Sequence, residues 1–257
     1  MEWTILGSGT STGVPLISCK CQVCRSKNPK NKRLRASAWI KVKNRKILID
    51  TSTDLRQQAL LRKVDRIDAV LYTHPHADHI HGIDELRSFN YLQQTRIPVY
   101  GNAWTCNELQ SKFPYIFNPG PVEGGGIPQL DLHFFEGSVA AVDVLGVKVI
   151  PLPVRHGSKE GIGYRIGGCA YIADCNEIPP GTLDRLKKLD VLILDCIRLE
   201  RHRTHFNLEQ SLATVSFLKP KKTFLTHLGH DFDHDSWNRK LPKGVQLAYD
   251  GLKIKAP

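Results

Sequence analysis

The feature that most constrains this 257-residue chain is seven residues long: Thr73-His74-Pro75-His76-Ala77-Asp78-His79. It follows at once on an apolar stretch, Ala69 to Tyr72, that reads as a strand. Four imidazole or carboxylate side chains within six residues make a ligand set suited to zinc, manganese or iron. Two histidines one residue apart at a strand end can point to the same side. The Asp-His pair that follows can open the next helix and face a second ion.

Strand signals surround this run. Trp3 to Leu6, Ile97 to Tyr100, Val191 to Leu194 and Thr223 to Thr226 read as strands. Ala38 to Val42 and Lys46 to Ile49 read as a hairpin around Asn44-Arg45, and Gly163 to Ile166 pairs with Cys169 to Ala173. Val139 to Val154 reads as two strands joined at Leu145-Gly146. Helices are expected over Asp54 to Arg62, Ile83 to Leu92 and Leu183 to Leu189. Another opens at Asn207, where Gln210 completes a capping-box pattern and Leu208, Leu212, Val215 and Leu218 follow at helical spacing. Residues 114 to 128, with Gly124 to Gly126 in series, read as a loop over the site, since strand signals resume on both sides. The pattern is a mixed α/β chain, one domain over 1–257, with histidines and aspartates repeatedly at strand ends. A site along one edge of packed sheets follows from that placement.

The formal net charge is +11, which favours anionic, phosphate-bearing partners. A small phosphorylated substrate is expected. Nucleic acid is not favoured, because no helix-turn-helix, zinc-finger or RNA-binding signature appears. No apolar run approaches the roughly 18 residues of a membrane span, and the N-terminus lacks a basic region followed by an apolar one. A cytoplasmic location is the expectation, and no membrane partner.

Of seven cysteines, three crowd into Cys19-x-Cys21-x-x-Cys24. In a reducing compartment such a cluster points to metal rather than disulfide. A closed structural zinc site needs four protein ligands. His230, in Thr226-His227-Leu228-Gly229-His230, is the best candidate for the fourth, so that one short segment would serve two sites. Cys169 and Cys196 lie in or beside apolar runs and read as buried, inert thiols.

The run from His74 to His79 resembles the H-x-H-x-D-H motif of the metallo-β-lactamase superfamily. The rest of that family's pattern is filled in order by His156, Asp174 and His227, each at the end of a strand signal. The resemblance covers nearly the whole chain and implies an αββα sandwich. It implies that His74, His76 and His156 hold one divalent ion and Asp78, His79 and His227 a second, with Asp174 bridging. The metals would be manganese or zinc, and they would activate a bridging water. It further implies that Asp50, after Ile47 to Ile49, supports the metal-binding loop; a plain strand-end turn aspartate is the other reading of that residue.

The glycine-rich turn Gly7 to Gly13 followed by the three cysteines is similar to one subgroup of that superfamily. This subgroup contains a cyclic-phosphate phosphodiesterase of carbon–phosphorus lyase pathways and a protein of pyrroloquinoline quinone biosynthesis, and the phosphodiesterase pattern fits better. Asp78 and His205 are then the expected catalytic residues. His205 would contact a phosphoryl oxygen or protonate a leaving alkoxide; otherwise it is a loop histidine beside His202. Phosphodiester or cyclic-phosphate hydrolysis is the expectation. A thioester hydrolase of the glyoxalase II type and a weakly catalytic metal-binding protein remain as alternatives. A transfer-RNA processing nuclease is disfavoured, because His156 to Asp174 leaves no room for its RNA-binding arm. Substrate and native metal are not legible, and oligomeric state has no handle beyond relatives that leave a homodimer open.

Overall fold

A computed structural model describes residues 1–120, 126–135 and 140–256. Within them the strands are β1 (Glu2–Gly7), β2 (Ser37–Val42), β3 (Arg45–Ile49), β4 (Ala69–Leu71), β5 (Ile97–Asn102), β6 (Leu130–Phe135), β7 (Val142–Val144), β8 (Val147–His156), β9 (Lys159–Ile166), β10 (Cys169–Ile172), β11 (Val191–Asp195), β12 (Lys222–Thr226), β13 (Val245–Leu247) and β14 (Lys253–Lys255). They form two sheets of seven, ordered β14-β1-β2-β3-β4-β5-β6 and β13-β12-β11-β10-β9-β8-β7. In each sheet one part is antiparallel and the other is a parallel run, β3 to β6 and β10 to β13.

Strand periodicity divides the apolar residues into three layers. Ile47 and Ile49 of β3, Ala69 and Leu71 of β4, Cys169 and Tyr171 of β10, and Val191 and Ile193 of β11 meet in one core between the sheets. Their alternates face outward under helices. Leu48 and Val70 pack with Leu55, Ile80, Ile83, Leu86 and Leu109. Ala170, Ile172, Leu192 and Leu194 pack with Leu186, Phe206 and Leu218. Central strands with both faces buried must read as unbroken apolar runs rather than alternating ones, and these do. The result is the αββα sandwich expected.

Local details refine the reading. The first hairpin turns at Lys43-Asn44, not Asn44-Arg45: Arg45 already pairs with Val42, and Lys43 takes a left-handed φ of 52°. Leu145-Gly146 does join β7 to β8, both residues with positive φ, as a tight hairpin requires. Val139, where that pair was expected to begin, lies outside the described residues. Residues 114–128 are not all loop, since Pro114–Phe117 is a short helix. Gly124 and Gly125 lie outside the described residues. Pro119, Gly126 and Ile127 line a cavity with Arg96, Phe117 and Leu132, and its walls include none of the site histidines. The helix expected over Leu183 to Leu189 is Pro180–Arg185, started by proline in its first turn. That over Ile83 to Leu92 is a 3-10 turn, Ile83–Glu85, leading into Leu86–Gln93. The Asn207 capping box is present in full ahead of Leu208–Leu218.

Candidate metal centre

The site lies where strands end. Asp50 follows β3, His74 stands three residues beyond β4, and His156 closes β8. Asp174 follows β10, Asp195 closes β11 and His227 follows β12. Open sheets with parallel strands present their ligand sites at these carboxyl ends. His76 is the N-cap of the short helix Ala77–Ile80, so Asp78 and His79 turn inward on its first turn.

Seven side chains converge there. His76 Nδ1 is 3.0 Å from His74 Nε2 and 3.2 Å from His156 Nε2. His79 Nε2 is 3.2 Å from Asp78 Oδ2 and 3.4 Å from Asp174 Oδ1. His227 Nε2 is 3.3 Å from Asp174 Oδ2 and 3.7 Å from Asp78 Oδ2, and His74 Nε2 is 3.7 Å from Asp174 Oδ2. Ligand atoms about 2.1 Å from one ion, at tetrahedral to octahedral angles, stand about 3.0–3.4 Å apart, and most of these spacings match that range. Among the described residues, Asp78 Oδ2, His79 Nε2, Asp174 Oδ1 and both ring nitrogens of His227 are buried without a hydrogen-bond partner. Buried polar atoms left unpaired are costly, and here four of the five face one another at the point a cation would occupy. The donor set therefore fits divalent metal ions.

Second contacts fix which nitrogen faces inward. Asp50, fully buried, accepts from the Thr73 backbone N–H (2.7 Å), the Thr73 hydroxyl (2.8 Å) and His79 Nδ1 (2.7 Å). His79 Nδ1 thus carries its proton toward Asp50, and Nε2 keeps its lone pair for the centre. His156 Nδ1 donates to the Thr204 carbonyl at 2.9 Å, with the same consequence. Asp50 is therefore the supporting aspartate, not a bare turn residue. Asp50 and His227 both hold left-handed φ angles, 60° and 58°, to aim their side chains from the strand ends.

Asp195, just past the stretch that reads as a strand, is a site residue the sequence does not single out. It accepts from His205 Nδ1 at 3.0 Å and from the backbone N–H groups of Cys175 and Phe206. The His205 ring stacks on His227, centroids 4.8 Å apart and planes 9° apart, with Nδ1 3.7 Å from Asp174 Oδ2. The missed signal was an aspartate terminating an all-apolar strand, the same signal that Asp50 gives.

Charge balance follows from burial and neighbours. Burial pushes His79 down, but the carboxylates of Asp78, Asp174 and Asp50 carry it well above the usual histidine range, so a cation binding at Nε2 would displace a proton there. Burial raises Asp78, and the facing imidazoles of His79 and His227 outweigh it, leaving the carboxyl ionised. Burial presses His156 down to about 4, which keeps it neutral as a metal ligand must be. Burial also lowers His205, but the Asp195 carboxylate, its hydrogen bond and Asp174 raise it to about 9.

The cysteine loop reaches the same edge of the molecule. Cys19, Cys21 and Cys24 place Sγ 3.3, 3.5 and 3.6 Å from His230 Nδ1. A tetrahedral zinc site with three sulfurs and one nitrogen has ligand spacings of about 3.6 Å. The Cys24 backbone N–H donates to Cys21 Sγ and, as the largest influence, lowers that thiol to about 6. Burial pushes Cys24 up to about 11. Buried Arg33 clamps the segment that carries His230, donating to the Gly229 and Phe232 carbonyls. Cys169 and Cys196 are fully buried, as expected of inert thiols.

Residues 45–228 match the model of the β-lactamase superfamily domain. The chain belongs to that superfamily. Its class is that of metallo-β-lactamase-fold hydrolases. The crystal structure of a diphosphatase from the PhnP family superposes with a TM-score of 0.91 at 42% identity, covering 98% of this chain and 96% of that one. An octanoyltransferase of Porphyromonas gingivalis is 34% identical over 261 residues, which is 98% of this chain and 51% of the relative; the chain thus spans about half of that protein. Zinc-bound PqqB from Methylobacterium extorquens shares the fold over both full lengths, with a TM-score of 0.78 at 19% identity.

Proposed function

We propose that the protein is a metal-dependent phosphodiesterase acting on a phosphodiester or cyclic phosphate. In this reading His74, His76 and His156 hold one divalent ion, and Asp78, His79 and His227 a second. Asp174 lies between them, and Cys19, Cys21, Cys24 and His230 hold a structural zinc. Ions in the dinuclear site, manganese or zinc, supply Lewis-acid activation of water and neutralise phosphoryl charge.

The observation that carries the reading is the Asp195–His205 pair. Asp195 accepts the Nδ1 proton of His205, which fixes the ring's orientation and stabilises its imidazolium form. Nε2 can then donate to a phosphoryl oxygen or protonate a leaving alkoxide, the step that limits hydrolysis of an alkyl phosphodiester. A thioester has a far better leaving group and needs no such acid. The likeness to a PhnP-family diphosphatase and the net charge of +11 favour the same choice of phosphorus over carbonyl carbon. Thioester hydrolysis on the same centre is the second reading.

The test is hydrolysis of bis(p-nitrophenyl) phosphate beside an acyl thioester, with metal-stripped protein, protein refilled with manganese or zinc, and Asp174→Ala. Metal- and Asp174-dependent diester cleavage is expected. Thioester cleavage alone would replace the proposal with the second reading. Silence on both with metals bound would leave a metal-binding protein of little catalysis.

A further inference from the structure

Beside the ligands of the first proposed ion stands an aromatic wall that neither the metals nor the core uses. Trp104 lies on the first turn of the helix Ala103–Lys112, half-buried, its ring centroid 6.1 Å from that of His76 and 6.5 Å from that of His74. No hydrogen bond engages its indole N–H among the described residues. Lys159, exposed, holds its ammonium 5.8 Å from the centre of the Trp104 ring. Lys159 is also the cross-strand partner of His156 across the tight β8–β9 turn, so the two side chains leave the sheet on one face.

The two backbone segments that carry the pair are tied together. Asn102 caps the helix by accepting from the Thr105 N–H at 2.9 Å, and its amide donates to the Glu160 carbonyl at 2.8 Å. One buried side chain therefore ties the helix start that carries Trp104 to the hairpin that carries Lys159. On the other side of that turn, the Gly157 N–H donates to Asn176 Oδ1 at 2.7 Å. A large aromatic face and a cation, both beside the proposed metal ligands, match a ligand that combines a planar ring with an anion.

We infer that Trp104 and Lys159 form a base-recognition subsite that selects phosphate esters bearing a planar heteroaromatic group, that is nucleotides, over bare sugar phosphates. This rests on the phosphodiesterase reading for its purpose, but its measurement does not need turnover. Trp104 stacks with the base, and Lys159 neutralises phosphate charge.

Calorimetric titration of the metal-loaded protein with adenosine 5′-monophosphate and with ribose 5-phosphate tests it. The nucleotide is expected to bind about ten-fold more tightly, equivalent to about 1.4 kcal/mol. Trp104→Ala should bring the ratio near one while leaving ribose 5-phosphate affinity unchanged, and Trp104→Phe should keep most of the preference. Equal affinities in the unaltered protein, no measurable nucleotide binding, or an unchanged preference in Trp104→Ala would overturn the inference. A Trp104-dependent preference in a protein that cleaves no diester would sustain the subsite and sink the phosphodiesterase reading instead.

Discussion

Replacing Asp50 by Asn changes almost no volume and should still weaken metal binding. Oδ1 accepts a backbone N–H from Thr73, so that position must stay an oxygen in the variant. The amide nitrogen then falls where Oδ2 stood, 2.7 Å from His79 Nδ1. It donates there, and the imidazole proton moves to Nε2, the atom whose lone pair faces Asp78 and Asp174. A cation must now drive a tautomer change against a fixed donor. Loss of such an orienting carboxylate typically lowers metal affinity about 10- to 100-fold, or about 1.4–2.7 kcal/mol. The same exchange sets the amide against the Thr73 hydroxyl, which can turn and donate elsewhere, so the metal-stripped fold should lose only about 1–2 kcal/mol. The measurement is a competition titration of manganese or zinc against a chromophoric chelator, with urea unfolding of stripped protein alongside. Metal affinity within two-fold of the unaltered protein would refute the tautomer argument, whatever happened to stability.

Two further predictions concern the periphery of the site. Cys24→Ser should remove one zinc per chain by elemental analysis and lower stability by about 3 kcal/mol or more, roughly a 10 °C fall in Tm, because a structural zinc contributes folding energy directly; unchanged zinc content would count against the four-ligand site. His234 is buried, and burial followed by the charges of Lys30 and Arg33 lowers it to about 4. Between its ordinary value of 6.5 and 4 the unfolded chain binds the extra proton and the folded chain does not, so the contribution is complete above about pH 6.5 and is lost as pH falls toward 4. The loss should reach about 2 kcal/mol. His234→Gln should lack that part of the acid dependence in urea unfolding between pH 7.5 and 4.5, and parallel curves for the two proteins would disprove the assignment.

Much of the centre was legible because its geometry is local. His74 to His79 supply four ligands from one strand–turn–helix passage, and a run that dense admits few other readings. His156, Asp174 and His227 were legible only through the resemblance to the metallo-β-lactamase superfamily, whose pattern they fill in order, since nothing in a lone histidine announces its neighbours. His230 came from proximity in sequence to His227, and the cysteine loop does meet it. Asp195 was missed because its partners are the backbone groups of Cys175 and Phe206 and a histidine ten residues on, contacts that exist only after the sheet forms. Trp104 was missed for a related reason. Its helix has no clean apolar stripe, with Thr105, Cys106 and Leu109 buried between polar positions, so periodicity does not mark it. The hairpin shift to Lys43-Asn44 turns on one left-handed residue that lysine adopts because the flanking strands demand it.

The left-handed backbone at Asp50 and His227 has a consequence for anyone who evolves this protein for heat resistance. A residue with a Cβ loses about 1 kcal/mol in that conformation relative to glycine. Glycine would release that strain at His227, whose ring nitrogens have no hydrogen-bond partner among the described residues, at the cost of a proposed metal ligand; at Asp50 the three buried hydrogen bonds its carboxylate accepts outweigh the strain. Libraries of metal-stripped protein ranked by survival on heating and by metal retention should therefore diverge first at position 227, where durability and chemistry draw on the same backbone angle.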